Sequence, residues 1–343
     1  MLSSSPLRVF TSSGTPFRSG SAALITKRKF RNYATQAKIP VNIVEVGPRD
    51  GLQNEKGVIP VDVKVELIEK LALAGCNNIE AGSFVSPKWV PQMAGTGEII
   101  SRMHRLPDVH YAVLVPNQKG LDGLLSVLNA YNSSPDSESV PPPSDEISVF
   151  TAATDAFTRA NLNTSITESL VKMAPMVRAA LDKGLRVDYK KVREVSRELL
   201  EMGCYEVAEM LEEVKKDVPV EKLAGHFHDT FGTAVANVFT ALEHGVRTID
   251  SSVGGLGGCP YSPGATGNVA TEDVLYALQG SKYGITGTEY GKGTIDLDQI
   301  TEIGWWISEK LGRESVSRAG RALRAKKIRD AEMAKDGEVR AKL

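Results

Sequence analysis

Two histidines two residues apart give the clearest chemical signal in the sequence. The run His226-Phe227-His228-Asp229 lies in a segment that reads as a β-strand, and side chains two apart on a strand project from the same face. Both imidazoles would therefore point into one cavity. Because imidazole is a common metal ligand, the pattern favours a metal site. A pair of structural histidines, hydrogen-bonded at a strand end, is the alternative.

Two imidazoles need oxygen partners to complete such a site, and Asp50 is the first candidate. It follows the first predicted strand, where a barrel presents its catalytic residues. A simple turn aspartate before Gly51 is the other interpretation. Arg49 is a permanently charged donor fork suited to a carboxylate or an enolate oxygen.

A glycine-rich stretch, residues 254–268, supplies the remaining candidates. Its first five residues include four glycines, so the backbone can approach a ligand closely. Cys259 would be an exposed thiol able to exchange a proton, with a small apolar filler as the alternative. Asn268 offers an amide oxygen, a hard ligand compatible with Mg²⁺ or Mn²⁺.

Parallel βα units are needed to bring these residues together. Short β-rich runs alternate with helical patterns after residue 40, which is typical of such units. The predicted strands are 41–46, 78–81, 111–115, 146–150, 224–228 and 248–253. The predicted helices are 61–74, 120–131, 165–183, 233–243 and 272–280. Residues 132–145, which include three consecutive prolines, predict a surface loop.

The eight strands of a complete barrel are not all evident. Residues 185–187 begin a strand, but a helical pattern takes over at about Asp188 and runs to Gly203. Residues 204–207 also begin a strand and pass directly into a helical pattern over 208–216. Both places lack a strand-to-helix loop. We therefore predict an α/β fold, a (β/α)8 TIM barrel that is incomplete at strands 5 and 6.

Composition points to one catalytic domain acting on a small molecule. The chain has 343 residues, of which 41% are hydrophobic and 24% charged, enough for one large core. A net charge of −1 without a basic face argues against nucleic acid as a partner. No stretch is apolar enough to predict a membrane span. The three cysteines are far apart, which argues against a disulfide framework.

The two ends of the chain carry targeting signals. No Asp or Glu precedes Glu45, and this leading stretch is rich in Ser, Thr, Lys and Arg. That composition predicts a disordered mitochondrial transit peptide over 1–38 and a mitochondrial matrix location, with a basic tail as the alternative. Ala341-Lys342-Leu343 is similar to a peroxisomal signal, although a chance match explains it equally well. We place the catalytic domain at 39–312 and a basic helix and tail at 313–343.

Four long strings carry a resemblance to a known family. They are VGPRDGLQNE, IEAGSFVSPKWVPQMA, HFHDTFGTAVANV and GGLGGCPYSPGATGNVATED. Over about residues 41–312 the chain resembles the 3-hydroxy-3-methylglutaryl-CoA lyase family. The resemblance implies a TIM barrel, a divalent cation and an acyl-CoA substrate cleaved to acetyl-CoA and acetoacetate, as in leucine degradation and ketone-body formation. It is also compatible with a homodimer.

The same resemblance implies roles for individual residues. The implied metal ligands are Asp50, His226, His228 and Asn268, with His226 also part of the catalytic machinery. Arg49 would contact the thioester carbonyl, Cys259 would be the active-site thiol, and Glu80 and Ser83 would support substrate binding.

Family members differ from this chain in having a further strand-and-loop segment after Val187 and another after Val207. The second contains a Gly-Asp-Thr whose acid faces the substrate. Two other hypotheses therefore stay open: a related condensing enzyme of the isopropylmalate or homocitrate synthase kind, and a truncated non-catalytic isoform.

Overall fold

The computed structural model describes residues 37–151, 164–191, 204–258 and 267–341. Its strands are β1 (Ile39–Glu45), β2 (Asn78–Ser83), β3 (His110–Leu114), β4 (Glu146–Thr151), β5 (Arg186–Lys191), β6 (Ala224–His226), β7 (Thr248–Ser251) and β8 (Tyr283–Ile285). Its helices are α1 (Val61–Leu73), α2 (Thr96–Arg102), α3 (Gln118–Asn132), α4 (Ile166–Asp182), α5 (Cys204–Val214), α6 (Ala234–Glu243), α7 (Thr271–Leu278), α8 (Leu297–Lys310) and α9 (Arg318–Ala341).

The strands form one parallel sheet in the order β5-β4-β3-β2-β1-β7-β6. In this order β1, the first strand of the sequence, lies next to β7, one of the last, as the closure of a barrel requires. β1 changes partner along its length, since residues 39–41 pair with β8 and residues 42–45 pair with β7. The carboxyl ends of β1, β2, β6 and β7 therefore meet at one edge of the sheet.

The barrel is incomplete, as the sequence predicts. Within the described ranges, β5 pairs with β4 and β6 pairs with β7, but no pairing joins β5 to β6. The opening lies where the sequence lacks strand segments. It leaves two strand edges without the ladder partner that a closed barrel provides.

Two details of the sequence prediction around this opening are wrong. The helix expected from about Asp188 does not include residues 188–191, because β5 continues to Lys191 and pairs with β4 along its whole length. The strand start expected at residues 204–207 is the first turn of α5. Val207 and Leu211, one helical turn apart, are both buried, so packing of one helix face decides the conformation there. Residues 192–203 lie outside the described ranges.

The insertion 132–145 is more structured than a surface loop. It contains a 3-10 turn at Pro135–Glu138, and its end packs against β3. The buried Ser144 donates its hydroxyl hydrogen to the Tyr111 carbonyl at 2.7 Å, and Asp145 accepts the Tyr111 amide hydrogen at 3.1 Å. The end of the insertion therefore fixes the start of β4.

Alternating burial along β1 shows how the sheet is held. Val41, Ile43 and Glu45 are fully buried, while the residues between them are more exposed. Helix α1 covers the sheet with one apolar face, which includes Leu67, Ile68 and Leu71 at helical spacing. Strand β8 and helices α2 and α8 were not predicted from sequence, and only the start of β5 was. None of the helices in the described part of the chain is long and apolar enough to span a membrane.

Candidate metal centre and active site

A tight turn after β1 presents the first two site residues. Residues Gly47–Gly51 form one π-helical turn, in which Pro48 occupies an early position that needs no amide hydrogen bond. The buried Glu45 carboxylate anchors the turn by accepting the Gly47 amide hydrogen at 2.8 Å. Arg49 and Asp50 are thereby held at the carboxyl end of the sheet.

Arg49 is a buried cation held between two carboxylates. Its Nε donates to Glu80 Oε2 at 2.8 Å, and its second guanidinium nitrogen lies 2.6 Å from the same oxygen. The other terminal nitrogen donates to Asp50 Oδ1 at 2.6 Å. Burial would lower the pKa of Arg49, but the charges of Glu80 and Asp50 outweigh it and raise that pKa. The guanidinium therefore stays charged and fixed in direction.

Asp50 and the two histidines converge. One ligand atom from each of Asp50, His226 and His228 lies within 4.8 Å of the others. The two Nε2 atoms are 3.3 Å apart, within hydrogen-bond distance, and the two rings are tilted by 51° to each other. Burial alone would raise the pKa of Asp50, but the Arg49 guanidinium and the hydrogen bond from Asn268 hold it well below its ordinary value. Asp50 is thus an anionic oxygen ligand facing two nitrogen ligands.

Asp250 orients the first imidazole. Its Oδ2 lies 3.1 Å from His226 Nδ1, and the two residues are direct cross-strand partners between β6 and β7. A hydrogen bond at Nδ1 puts the ring hydrogen there, so Nε2, which lies beside His228 Nε2, is the atom that would bind a metal. Sequence reasoning missed Asp250. The register between β6 and β7 is the signal that reveals it, and no single-strand pattern contains that information.

Asn268 completes the cluster from the far side of the glycine-rich segment. It forms an isolated antiparallel bridge with His228, and its Nδ2 donates to Asp50 Oδ2 at 2.8 Å. Its Oδ1 is buried without a hydrogen-bond partner among the described residues, which is a costly state for a polar atom. Turning the amide over would place that oxygen beside Asp50 Oδ2, as a further ligand of the same ion. The buried amide oxygen therefore fits a bound cation.

The donor set decides which ions fit. One carboxylate, one amide oxygen and two imidazoles suit an ion that accepts hard oxygen ligands and keeps open positions. A closed tetrahedral zinc site would normally contain cysteine. All four metal ligands expected from the sequence lie together here.

Two buried glutamates hold the start of the glycine-rich segment. Glu45 accepts the Val253 amide hydrogen at 2.9 Å, and both Glu272 oxygens lie 3.0 Å from the Gly254 nitrogen. Gly254 and Gly255 have φ angles of 65° and 63°, which only glycine adopts without strain. Burial raises the pKa of Glu45 to about 7 and that of Glu272 to about 8. The start of the glycine-rich segment is therefore held by two carboxyl groups whose pKa values are raised.

The other predicted site residues have distinct positions. Glu80 and Ser83 lie within β2 rather than after it, and Glu80 holds Arg49. The Ser83 hydroxyl accepts the Val85 amide hydrogen at 3.1 Å, and Ser83 also lines a cavity of about 270 Å³. Cys259 lies outside the described residues. Its neighbour Gly258 accepts a hydrogen bond from Asn54, four residues after Asp50.

Comparison with known proteins now decides the family. The HMGL-like family profile matches residues 40–203 and 198–307. The chain belongs to the HMGL-like family. The overlapping matches span both sides of the opening in the barrel, so the whole barrel region belongs to one family.

Curated relatives of this HMGL-like chain are named as lyases. It is 43% identical over 320 residues to the hydroxymethylglutaryl-CoA lyase of Pseudomonas mevalonii, covering 84% of this chain and 99% of the relative. It is 41% identical over 312 residues to a mitochondrial hydroxymethylglutaryl-CoA lyase of Gallus gallus, covering 82% of this chain and 97% of the relative. Bacterial and mitochondrial proteins are both among the relatives. The comparisons favour the lyase over the condensing enzyme.

Solved structures agree with the fold. The hydroxymethylglutaryl-CoA lyase of Pseudomonas aeruginosa superposes with a TM-score of 0.71 at 40% identity, covering 84% of this chain and 98% of that one. A lyase from Acinetobacter baumannii, solved with coenzyme A and 3-methylmalate, has a TM-score of 0.68 at 28% identity, covering 82% and 94%. The HMGL-like barrel is thus recognisable despite its opening.

The raised pKa values predict that the free energy of unfolding decreases as pH rises. In the unfolded chain Glu272 returns to about 4.5, so between about pH 5 and pH 8 the native state binds more protons than the unfolded state. The free energy of unfolding should therefore decrease as pH rises through this window. Glu272→Gln should flatten the decrease, since glutamine keeps an acceptor for the Gly254 amide but does not ionise. Urea unfolding at several pH values measures this.

The matched control is Glu302→Gln, because Glu302 lies on exposed helix surface in an ion pair with Lys327. It should leave the pH slope unchanged. An equal slope in the native protein and Glu272→Gln would contradict the assignment of the buried carboxyl as its source.

Proposed function

We propose that this chain is a metal-dependent carbon–carbon lyase of the hydroxymethylglutaryl-CoA lyase type, with 3-hydroxy-3-methylglutaryl-CoA as substrate and acetyl-CoA and acetoacetate as products. The observation that carries the proposal is the convergence of Asp50, His226 and His228 within 4.8 Å beside the buried Arg49. The names of its close relatives support the same substrate.

Mg²⁺ or Mn²⁺ is the proposed ion, held by Asp50, His226, His228 and Asn268. Such a cation would supply Lewis acidity toward the tertiary hydroxyl and a carbonyl oxygen of the substrate. The protein's own contribution is to keep the ligand atoms deprotonated and correctly directed, through Arg49 at Asp50 and Asp250 at His226.

Arg49 has donors left for the substrate. Of the five N–H groups of a guanidinium, the contacts to Glu80 and Asp50 use three, which leaves two. As the carbon–carbon bond breaks, negative charge moves onto the thioester oxygen. A preorganised buried cation stabilises that charge without having to reorient. Glu80 acts as the residue that directs the fork.

The acyl-CoA chain enters, in this proposal, at the cavity beside Ser83. Its lining includes Phe84, Asn117 and Lys119, a mixture of apolar surface, polar groups and one positive charge. Cys259 is the proposed proton donor to the product carbon, carried by the segment that Glu45 and Glu272 pin at its start. A homodimer and import into the mitochondrial matrix, directed by the basic, acid-poor residues 1–38, belong to the same proposal.

The opening in the barrel limits this activity. The walls of a TIM-barrel site come from the loops after every strand, and β6, which carries His226, is an edge strand here. The Gly-Asp-Thr segment that faces the substrate in family members would have occupied this gap. We therefore expect the chain to retain the metal site but to turn over very slowly.

The first test compares this chain with a version that carries the missing strand-and-loop segments. Segments from the Pseudomonas mevalonii relative would be inserted after Val187 and Val207, and residues 1–38 removed from both proteins. Acetoacetate release from the substrate with Mg²⁺ should be low or absent for the chain as written and substantial after insertion. Soluble yield should rise as well, because the exposed strand edges become paired.

Comparable turnover by the two versions would show that the barrel argument is wrong. Condensation of acetyl-CoA with a 2-oxo acid by the complete version, without acyl-CoA cleavage, would contradict the lyase assignment. Absence of any turnover in both versions would contradict the proposed lyase activity.

The second test concerns Arg49. In the complete version, Arg49→Gln should lower kcat about 100-fold, the usual effect of removing one transition-state donor, while KM changes far less. The reason is that the enolate charge develops mainly in the transition state. Steady-state kinetics measures both constants. Arg102→Gln is the control, since Arg102 on α2 makes exposed ion pairs with Glu98 on the same helix and with Asp62 on α1. An unchanged kcat with a raised KM would remove Arg49 from this role.

A further inference from the structure

The short connection between α8 and α9 touches all three loops that carry metal ligands. This connection, here called the α8–α9 linker, comprises residues 311–318: it follows the end of α8 at Lys310 and includes Arg318, the first residue of α9. The loops in question follow β1, β6 and β7. None of these contacts involves a metal ligand directly, so their effect on the site would be through neighbouring residues.

Two arginines make the outer contacts of the linker. Arg313 pairs with Glu55 at 2.8 Å, five residues after Asp50 in the loop after β1. Arg318 pairs with Asp229 at 3.1 Å, and Asp229 directly follows His228. The Glu55 and Asp229 side chains are each only 19% exposed, so both carboxylates sit in defined positions.

The middle of the linker contacts the glycine-rich segment. The Val316 amide donates to the Gly254 carbonyl at 3.2 Å. A Cβ built on Gly255 would lie 2.4 Å from a Val316 methyl carbon, which shows how closely the Val316 side chain packs on the Gly255 backbone. The linker therefore holds the same segment that Glu272 holds from behind.

Arg318 itself is held firmly at both ends. Asp273 on α7 accepts hydrogen bonds from the Ser317 hydroxyl and the Ala319 amide, both at 2.7 Å, and so fixes the start of α9. A Cβ on Gly232 would lie 2.7 Å from an Arg318 guanidinium nitrogen, so the guanidinium packs against the turn before α6. The arginine is anchored by its backbone and directed at Asp229 by its surroundings.

Asp229 transmits this restraint to two ligands. One of its oxygens accepts the Ala234 amide hydrogen at the start of α6, while the other meets Arg318. Its amide donates to the Gly267 carbonyl at 3.2 Å, and Val269 donates to the Phe227 carbonyl at 2.9 Å. These two bonds flank the bridge between His228 and Asn268. Fixing Asp229 therefore fixes the pairing of both ligands.

We propose that Arg318 is a positioning residue for the metal centre, acting through Asp229 on the His228–Asn268 bridge, and that the α8–α9 linker ties the three ligand-bearing loops together. The proposal rests on the metal site proposed above. It gives the basic C-terminal segment a role in cation affinity, separate from any contact with substrate.

The direction in which cation affinity changes when Arg318 is removed distinguishes positioning of the ligands from simple electrostatic repulsion. Arg318 is a positive charge near a cation site, so its removal should strengthen cation binding if only long-range repulsion matters. If Arg318 positions the ligands, its removal should weaken binding instead. The ion pair is exposed on the arginine side, at 64%, so the expected weakening is modest.

The experiment measures the Kd for Mn²⁺ by electron paramagnetic resonance of the free ion, using the full chain as written and no substrate. Arg318→Gln should bind Mn²⁺ about threefold more weakly than the native protein, in line with one partly exposed ion pair. Arg318→Lys, which keeps the charge, should recover much of the affinity. The ratio between Arg318→Gln and native should approach one in concentrated KCl, because salt screens the pair.

Lys327→Gln is the matched control, since Lys327 is a similarly exposed cation on the same helix, paired with the exposed Glu302. Lys327→Gln should leave Mn²⁺ affinity unchanged. The denaturation midpoint of Arg318→Gln should equal that of Lys327→Gln. Equal or tighter Mn²⁺ binding by Arg318→Gln would overturn the positioning role while leaving the metal site intact. A native chain that binds no Mn²⁺ would overturn the proposed metal site and this inference together.

Discussion

A buried positive charge at the end of the first strand constrains the whole site. The Arg49 side chain is only 10% exposed, and a guanidinium in that position is tolerated only with carboxylate partners in good geometry. Glu80 and Asp50 provide them, which requires the ends of β1 and β2 to lie side by side. Asp50 then has one oxygen committed to Arg49 and the other directed at Asn268. The direction of the first metal ligand thus follows from neutralising the arginine.

The position of the opening in the barrel explains why the candidate metal ligands can stay together although the active site is incomplete. The ligands come from the loops after β1 and β6 and from Asn268, and the strands beneath them are joined through β7 into one continuous part of the sheet. The gap lies on the other side of β6. Losing strand pairs there removes wall and substrate contacts, while the hydrogen bonds that assemble the ligands remain. If the proposed metal site and activity are right, cation binding and turnover are therefore expected to be separable in this chain.

The parts of the site that could be predicted from the sequence are those marked by residues close together in the chain. Two histidines two residues apart, and an aspartate after a strand, are local patterns, and these three side chains lie together although β6 ends at His226. Asp250 and Arg318 were not predicted, because each acts through a partner that only strand register or helix docking brings near. Pairing between residues that are far apart in the sequence cannot be recognised within a single segment.

The errors near the opening have the same origin. Residues 188–191 are polar and charged, which reads as the start of a surface helix, yet ladder bonds to β4 keep them extended. Residues 204–207 carry β-prone side chains, but burial of Val207 and Leu211 on one face makes them helical. In both places tertiary packing overrides local propensity.

The most direct test of the account is pulsed electron paramagnetic resonance of Mn²⁺ bound to the chain as written. The account predicts one bound ion per chain with nitrogen couplings from directly coordinated imidazole, and weaker nitrogen coupling after His228→Gln. A bound ion without imidazole nitrogen coupling, or no stoichiometric binding, would contradict the claim that Asp50, His226, His228 and Asn268 form one metal centre.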